Sequence, residues 1–269
     1  MKTIMFCNEK GGVGKTTLAI HTSAGLALRE NRVLLVDADP QAHSTHQLQI
    51  KEQPGLYDML VRDADARDVI RVPERDAWAG DIEVGDGQLL LLPGNVETRS
   101  IMSSMSDDVE YLRESLEELR GYVDYVVIDT SPTPSLLHAM IYIASDYVIF
   151  PTQAEMLSMD GLAKTQLRVH GQNRQRVGQG MEPLRLLGVQ PTMVTETRAH
   201  KYGKSVMEEH LGDLIWPGIP MATIWRDAGF ARQTLYAYSP EHSATYHCWG
   251  LIDRVLASMK TGRQHDAAA

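Results

Sequence analysis

A glycine-rich stretch near the N-terminus, Asn8–Thr17, constrains the fold of this chain more than any other feature. It lies between an apolar run that predicts a strand, Thr3–Cys7, and a segment with helical spacing, Thr16–Glu30. Glycines let backbone N–H groups turn toward anionic oxygens, and the N-terminus of a helix adds partial positive charge. A Gly-Lys-Thr ending between a strand and a helix therefore predicts a loop that binds the phosphates of a nucleotide.

Individual residues of this loop have distinct expected tasks. Lys15 is expected to reach the β- and γ-phosphates, and Thr16 to place its hydroxyl on Mg²⁺. The general motif has glycine five residues before Gly14, where this chain has Glu9, and Lys10 follows it. The residues expected to bind the nucleotide phosphates are Lys10, Gly11, Gly12, Val13, Gly14, Lys15, Thr16 and Thr17.

Two other apolar runs end in aspartate. Asp37 and Asp39 follow the run that begins at Arg32, and Asp129 ends the run that begins at Asp124. Ligand sites of open α/β sheets lie at the carboxyl ends of the strands, so these carboxylates are expected beside the phosphate loop, with Asp129 holding Mg²⁺. Turn formation is the alternative interpretation for an acidic residue at a strand end.

Apolar runs without polar alternation recur between segments of helical spacing. Buried strands separated by helices indicate an α/β fold, doubly wound, with a mostly parallel sheet and helices on both faces. The predicted strands are Thr3–Cys7, Arg32–Asp37, Gln88–Pro93, Asp124–Asp129, Tyr147–Pro151 and Leu186–Val189. The predicted helices are Thr16–Glu30, Asp107–Arg120, Gly161–Val177, Tyr202–Leu211 and Ala244–Met259.

The length of 269 residues suits one domain of this kind. We expect a single P-loop ATPase domain over residues 1–260, a frayed tail over 261–269, and a helix followed by an exposed loop within Asp63–Gly87. Cys7 and Cys248 are the two cysteines, too few for a disulfide framework or a four-ligand zinc site. No signal peptide and no run of ~18 apolar residues is evident, so a cytoplasmic location is expected.

The string Lys-Gly-Gly-Val-Gly-Lys-Thr-Thr at residues 10–17 resembles the hallmark of the deviant Walker-A ATPases, the ParA/MinD group. The resemblance includes the Asp-x-Asp-Pro-Gln motif at residues 37–41, covers most of the chain, and thins beyond Pro220. It implies a homodimer that sandwiches two ATP molecules and hydrolyses them. It also implies that Lys10 reaches across the dimer interface to the partner's nucleotide, as an arginine finger does. A solvated surface lysine is the alternative.

The same resemblance gives expected roles to several other residues. It assigns positioning of the attacking water to Asp39 and support of the metal to Asp37. The strand that ends in Asp129 resembles the family's Walker-B strand, which holds Mg²⁺. In relatives the positions equivalent to Met193 and Pro220 lie near the adenine base.

Two branches of the group differ in the surface that they bind. The membrane-binding branch ends in an amphipathic helix, but here the apolar stripe of Ala244–Met259 includes Leu251 and Val255 and predicts core packing. The resemblance to the other branch implies ATP-dependent binding of DNA without sequence preference, which the net charge of −9 does not exclude on a local basic face. Ordinary solvated charges are the alternative for each candidate. The DNA-binding candidates are Arg198, Lys201, Lys204, Arg226 and Arg232.

The function implied by the resemblance is segregation of plasmid or chromosomal DNA. Its cofactors would be ATP or ADP and Mg²⁺, its location the nucleoid, and its partner a ParB-like centromere-binding or adaptor protein that stimulates slow turnover. Alternatives stay open: positioning of a protein cargo over the nucleoid, a MinD-like ATPase, a metabolic P-loop ATPase, or a scaffold that does not hydrolyse nucleotide.

Overall fold

The structure, a computed structural model, describes residues 1–104, 108–153 and 158–260. Its strands are β1 (Lys2–Phe6), β2 (Arg32–Ala38), β3 (Gln88–Leu92), β4 (Tyr125–Thr130), β5 (Tyr147–Gln153) and β6 (Arg185–Thr192). Its α-helices are α1 (Lys15–Ala27), α2 (His43–Gln47), α3 (Leu56–Val61), α4 (Ala66–Val69), α5 (Arg75–Trp78), α6 (Ile101–Ser104), α7 (Tyr111–Glu117), α8 (Leu136–Ala144), α9 (Ser158–Gly178), α10 (Arg198–Leu211), α11 (Ile224–Phe230), α12 (Leu235–Tyr238) and α13 (Ser243–Lys260). Short 3-10 helices cover Val96–Ser100 and Gly212–Leu214.

The strands form one six-stranded sheet in the order β3-β2-β4-β1-β5-β6. Every pairing between neighbouring strands is parallel, which confirms the predicted doubly wound fold. All of the predicted strands are present. Because β4 inserts between β1 and β2, the carboxyl ends of these three strands meet at one edge. That edge carries the phosphate loop and the acidic residues.

Side chains of the central strand divide between two cores, one on each face of the sheet. Ile4 and Phe6 of β1 join the core that includes α1 and α13. Met5 and Cys7 join the other core, which includes α7 and α8. Successive side chains of a strand point to opposite faces, so a strand buried on both sides is apolar throughout. The sheet therefore has helices on both faces, as the sequence predicts.

The apolar stripe of α13 packs in the core. Leu251, Ile252 and Val255 are buried, and α13 lies against α1. A Cβ added to Gly25 of α1 would lie 2.6 Å from Ile252 Cγ1, so the glycine permits this close approach. Among the described residues, no helix combines the length and the apolar character needed to cross a bilayer.

The sequence prediction missed several short helices, among them α2, α3, α11 and α12, and two further differences concern the core. The expected exposed loop within Asp63–Gly87 instead contains α5, whose Ala77 and Trp78 are buried, and Thr234 Oγ1 donates to Trp78 O at 2.7 Å. Helix α8 was missed because it is apolar on most of its surface, which hides a helical period. The single ATPase domain over 1–260 stays a prediction, and the expected tail, 261–269, lies outside the described residues.

Candidate nucleotide-binding site

The phosphate loop connects β1 to α1 and needs two left-handed backbone positions. Gly12 has φ 71° and Gly14 has φ 88°, a region that residues with a side chain rarely adopt. Gly14 lies directly before the first residue of α1, Lys15, whose side chain is buried and donates to Lys10 O at 3.2 Å. Burial lowers the pKa of Lys15, whereas the charges of Asp129 and two weaker neighbours raise it.

The ends of β5 and β6 hold the loop in place. Asn8 donates through Nδ2 to Pro151 O at 2.7 Å and accepts the N–H of Lys10 at 2.9 Å. Thr192, the last residue of β6, donates to Val13 O at 2.9 Å. The loop is therefore fixed by the protein itself, so its conformation is available before any ligand binds.

The residues where the chain departs from the general motif make contacts of their own. Glu9 Oε1 lies 2.6 Å from a guanidinium nitrogen of Arg168 on α9. The Lys10 ammonium donates to Gln153 Oε1 at 3.0 Å, at the end of β5. Both contacts lie on the same side of the loop as the adjacent strand β5, and they link the loop to β5 and α9.

The acidic residues meet at the carboxyl ends of β2 and β4. Asp37 and Asp129 are register partners on these neighbouring strands, and both are fully buried. Asp37 Oδ2 accepts the N–H of Thr45 at 2.8 Å and the Thr45 hydroxyl at 2.7 Å. Asp129 Oδ2 accepts the Ser44 hydroxyl at 2.9 Å. Helix α2 thus donates hydrogen bonds to both carboxylates.

Burial dominates the titration of this pair. It raises the pKa of Asp37 to about 6, against the hydrogen bonds from Thr45. It raises the pKa of Asp129 to about 8, with the nearby charge of Asp37 as the next cause and the side chains of Ser44 and Thr16 opposing. Asp129 Oδ1 is buried and accepts no hydrogen bond from the part of the chain that the structure describes. A buried carboxylate oxygen without a donor fits a cation ligand.

Asp39 lies two residues beyond Asp37, directly after the end of β2, and differs from Asp37 in burial. It is 7% exposed, whereas Asp37 and Asp129 are fully covered. Its Oδ1 accepts the N–H of Gln41 at 2.9 Å, and its own N–H donates to Asp37 Oδ1 at 3.2 Å. The three predicted carboxylates are therefore brought together, and Asp39 is the one that solvent reaches.

The two residues expected near the base lie in adjacent segments after β6. Met193 follows the strand directly with φ 51°, and its sulfur lies 3.4 Å from Gln153 Nε2. Pro220 forms an isolated parallel bridge with Val194, and Met221 N–H donates to Val194 O at 3.0 Å. The fold thus places both segments beside the strand end that contacts the phosphate loop, and contact with a base stays a prediction.

Residues 1–177 match the protein family described as AAA domain. The chain is 31% identical to the chromosome partitioning protein ParA of Caulobacter vibrioides over 231 residues, which cover 81% of this chain and 80% of that protein. The chain belongs to the ParA family of partition ATPases. It is also 29% identical to the chromosome-partitioning ATPase Soj of Thermus thermophilus over 263 residues, 97% of each protein.

Other matches of this ParA-family chain are narrower or more distant. The sporulation initiation inhibitor protein Soj of Bacillus subtilis is 36% identical over 169 residues, 61% of this chain and 62% of that protein, so this match spans less than two thirds of the relative. McdA of Cyanothece, solved with ATP, has a TM-score of 0.78 at 20% identity over 96% of each chain. Cobyrinic acid a,c-diamide synthase of Mycobacterium smegmatis, solved with an ATP analogue and magnesium, has a TM-score of 0.73 at 24% identity over 98% of this chain and 97% of that one. These structural likenesses show the fold alone.

Sequence reasoning missed three residues of the ParA-family site. Ser44 and Thr45 hold the carboxylates of Asp129 and Asp37, yet neither was singled out as part of the site. A signal was present, because two hydroxyl residues follow the acidic motif closely and Thr45 N–H lies in the first turn of a helix. Gly94 was missed as well: a Cβ there would lie 2.6 Å from Asp37 O, so a larger residue would displace the acidic motif.

The five DNA-binding candidates of this ParA-family chain lie on two segments. Arg198, Lys201 and Lys204 belong to α10, where Lys201 pairs with Glu196 at 2.8 Å and Lys204 with Glu208 at 3.4 Å. Arg226 belongs to α11, and Arg232 follows its end with φ 55°. Both of these arginines and Arg198 are exposed. The structure places them at the surface, and a role in DNA binding stays a prediction.

Proposed function

We propose that this chain binds and hydrolyses ATP, dimerises when ATP is bound, and segregates plasmid or chromosomal DNA. The observation that carries the proposal is the edge of the sheet, where a fixed phosphate loop meets the fully buried pair Asp37 and Asp129. A buried lysine between phosphate-binding amides and carboxylates suits a triphosphate with a divalent cation. The names of the relatives, partition ATPases that cover most of this chain, support the same conclusion.

Magnesium fits the donor set of this edge. Asp129 Oδ1 is buried without a hydrogen-bond donor in the described part of the chain, and the Thr16 side chain lowers the pKa of this carboxylate. Thr16, Asp37 and Asp129 would hold the ion, which when bound supplies positive charge against the phosphate oxygens. The magnesium and ATP analogue named for the diamide synthase of the same fold support this assignment.

The remaining polar groups of the edge divide the chemical work. Lys15 stabilises negative charge on the β- and γ-phosphates, since its ammonium is held inside the loop. Asp39 orients the attacking water, because it is the acidic residue of the edge that solvent reaches. The amides between Gly11 and Thr17 bind the phosphate oxygens.

Lys10 acts on the nucleotide of the partner subunit in our proposal. In the single chain its ammonium donates to Gln153 Oε1 at 3.0 Å. Dimerisation would exchange this neutral acceptor for phosphate oxygens, which are stronger acceptors for an ammonium. Lys10→Ala should therefore keep ATP binding but impair dimerisation or hydrolysis. Gln153→Ala is the matched control, because it removes this acceptor and keeps the charge of the lysine. Full dimerisation and hydrolysis in Lys10→Ala would contradict the role.

The dimer would bind nucleoid DNA without sequence preference and release it after hydrolysis. A ParB-like centromere-binding or adaptor protein would stimulate hydrolysis and connect the ATPase to the DNA that is moved. The nucleotide would then act as a switch, since its binding favours the closed dimer and its hydrolysis removes that preference. Phosphate release, measured with and without Mg²⁺, duplex DNA and the product of the neighbouring gene, tests the scheme.

Each outcome of that measurement has a distinct meaning. Magnesium-dependent hydrolysis that DNA and the neighbouring protein accelerate supports partition. Hydrolysis that is the same under all conditions contradicts partition and favours a metabolic P-loop ATPase. Binding of adenine nucleotide without any hydrolysis would favour a scaffold. Stimulation by a partner that binds a protein cargo instead of DNA would favour cargo positioning, a function within the same family.

A further inference from the structure

The C-terminal end of α11 displays one aromatic ring to solvent. Phe230 is 94% exposed, the largest exposure among the large apolar side chains that the structure describes. A single exposed apolar residue needs no special explanation, so its surroundings decide whether the ring has a role. Two arginines belong to the same segment: Arg226 lies one helical turn earlier, on the same face, and Arg232 lies two residues later.

The charges around the ring favour a polyanion. Arg226 and Arg232 are exposed, and neither forms an ion pair with a described residue. Asp227 is the acidic residue within the segment, and Glu52, which like Arg232 lines an open cavity there, is accompanied in that lining by Lys51. The segment thus carries a net positive charge on a protein whose formal net charge is −9. Such a local reversal of sign is the electrostatic feature of a nucleic-acid contact.

The backbone that carries the ring is held on its inner side. Gln47 of α2 donates through Nε2 to Gln233 O at 3.0 Å, and Gln49 donates to Arg232 O at 3.3 Å. Ala228, within α11, is 2% exposed and anchors the helix in the core. Phe230 therefore projects from a fixed segment, so presenting the ring to a ligand requires little further ordering of the chain.

We propose that Phe230 contacts DNA directly, with its ring against the bases or sugars of the duplex while Arg226 and Arg232 face the phosphates. The inference rests on the proposed non-specific DNA binding and names a contact that charge alone does not supply. Apolar side chains flanked by cations insert between base steps in the minor groove of a duplex and do so with little dependence on sequence. An anionic membrane fits less well, since insertion needs a wide apolar face and the helix offers one ring.

The test compares variants of the full chain with Mg²⁺ and ATP, using fluorescence anisotropy of a random-sequence duplex at several salt concentrations. Phe230→Ala should weaken DNA binding about fivefold or more without changing the slope of log K against log salt, and Phe230→Trp should restore it. Arg226→Gln should lower that slope by about 0.9, the effect of one lost phosphate contact. Tyr122→Ala is the matched control, because Tyr122 is an aromatic residue 73% exposed between α7 and β4.

The results that would overturn the inference are separate from those that would overturn the proposed function. If the wild type binds DNA and Phe230→Ala binds it with the same affinity, the proposed role of the ring is wrong and the proposed function stands. If the wild type does not bind DNA in the presence of Mg²⁺ and ATP, both the role of the ring and the proposed DNA binding are wrong. A loss in Phe230→Ala of binding to anionic vesicles, or of dimer in light scattering, with unchanged DNA affinity would assign the ring to a membrane or to a second copy. An unchanged thermal midpoint confirms that the variant folds.

Discussion

The phosphate-loop edge and the basic surface of the C-terminal third differ in how much the fold decides about each side chain. At the edge, Lys15, Asp37 and Asp129 are buried, and strand register or hydrogen bonds fix their positions. On the surface, Arg198 and Arg226 are exposed, and neither forms an ion pair with a described residue. A buried charge must find its partners inside the protein, because water cannot supply them. A surface charge has water already, so its role depends on what binds there.

The largest expected effect lies at the edge. Lys15→Ala should weaken the binding of Mg²⁺-ATP by at least about 100-fold, since it removes the cation from the centre of a preorganised anion site. The folded state should survive, because the buried ammonium is itself penalised by desolvation, as its lowered pKa shows. Isothermal titration of nucleotide measures the effect, with Lys260→Ala, an exposed lysine of α13, as control. Equal affinity in both variants would place the triphosphate elsewhere.

A second change should act in opposite directions on hydrolysis and on stability. Asp129→Asn should reduce hydrolysis about 100-fold, because it removes a magnesium ligand. Without Mg²⁺ the same variant should resist unfolding better at high pH. The pKa of Asp129 is raised to about 8, so the stability from its protonated form is fully present below the ordinary pKa, near 4, and is lost as the pH rises to about 8.

Urea unfolding at pH 5 and pH 8 without Mg²⁺ measures this prediction. Wild type should lose stability relative to Asp129→Asn between the two pH values. Addition of Mg²⁺ and ATP should cancel the advantage of the variant, because only wild type binds them fully. Asp86→Asn, at an exposed position, serves as control. If Asp129→Asn is less stable than wild type at both pH values, the ionised Asp129 side chain does not destabilise the metal-free protein, and the prediction is wrong.

The same contrast explains what could be predicted from the sequence. The loop and the strands ending in Asp37 and Asp129 were predictable because short-range rules govern them: glycine for left-handed backbone, apolar runs for buried strands. The placement of β4 between β1 and β2 was not, since strand order depends on long-range packing. That order is what makes Asp37 and Asp129 register partners.

The hydroxyls that hold the carboxylates were not predictable for a related reason. Ser44 and Thr45 lie in α2, a helix of five residues without a clear apolar stripe. Ser44 and Thr45 reach Asp129 and Asp37 only because the folded chain places α2 beside the ends of β2 and β4. On the exposed surface, by contrast, both Lys201 and Arg198 were candidates from the sequence, and the structure distinguishes them through the pairing of Lys201 with Glu196.

A buried histidine lies between the two regions, and its effect should be intermediate. His21 Nδ1 lies 2.7 Å from Thr17 O in the first turn of α1, and its Nε2 accepts the N–H of Leu235 at 2.9 Å. The ring also packs edge-on against Trp225 of α11 at 5.1 Å between centroids. Since Nε2 must accept, the ring is neutral with its proton on Nδ1. It thus connects the phosphate-binding helix to the segment that carries the exposed arginines.

Acid should weaken this connection. Burial lowers the pKa of His21 to about 4, so between pH 6.5 and pH 4 the unfolded chain binds a proton that the folded chain does not. The stability of wild type relative to His21→Asn should therefore fall by about 3 kcal/mol over that window as the pH is lowered. Denaturant unfolding at pH 7 and pH 4.5 measures it, with the exposed His247→Asn as control. A constant difference between wild type and variant would mean that the ring is not buried in its neutral form.

The smallest expected effect belongs to the basic surface of α10. Lys201 is already paired with Glu196, so the pair presents little net charge to DNA, and exposed ion pairs contribute only about 0 to 1 kcal/mol. Lys201→Ala should change DNA affinity by about twofold or less, whereas Arg198→Ala should lower it several-fold and reduce the salt slope by about 0.9. Glu196→Gln should strengthen binding, because it releases the lysine without removing it. Anisotropy titrations with DNA measure the affinities of the three variants. A tenfold loss of DNA affinity in Lys201→Ala, with no gain in Glu196→Gln, would contradict the prediction. It would mean that an ion pair in the free protein does not keep a surface lysine from binding DNA.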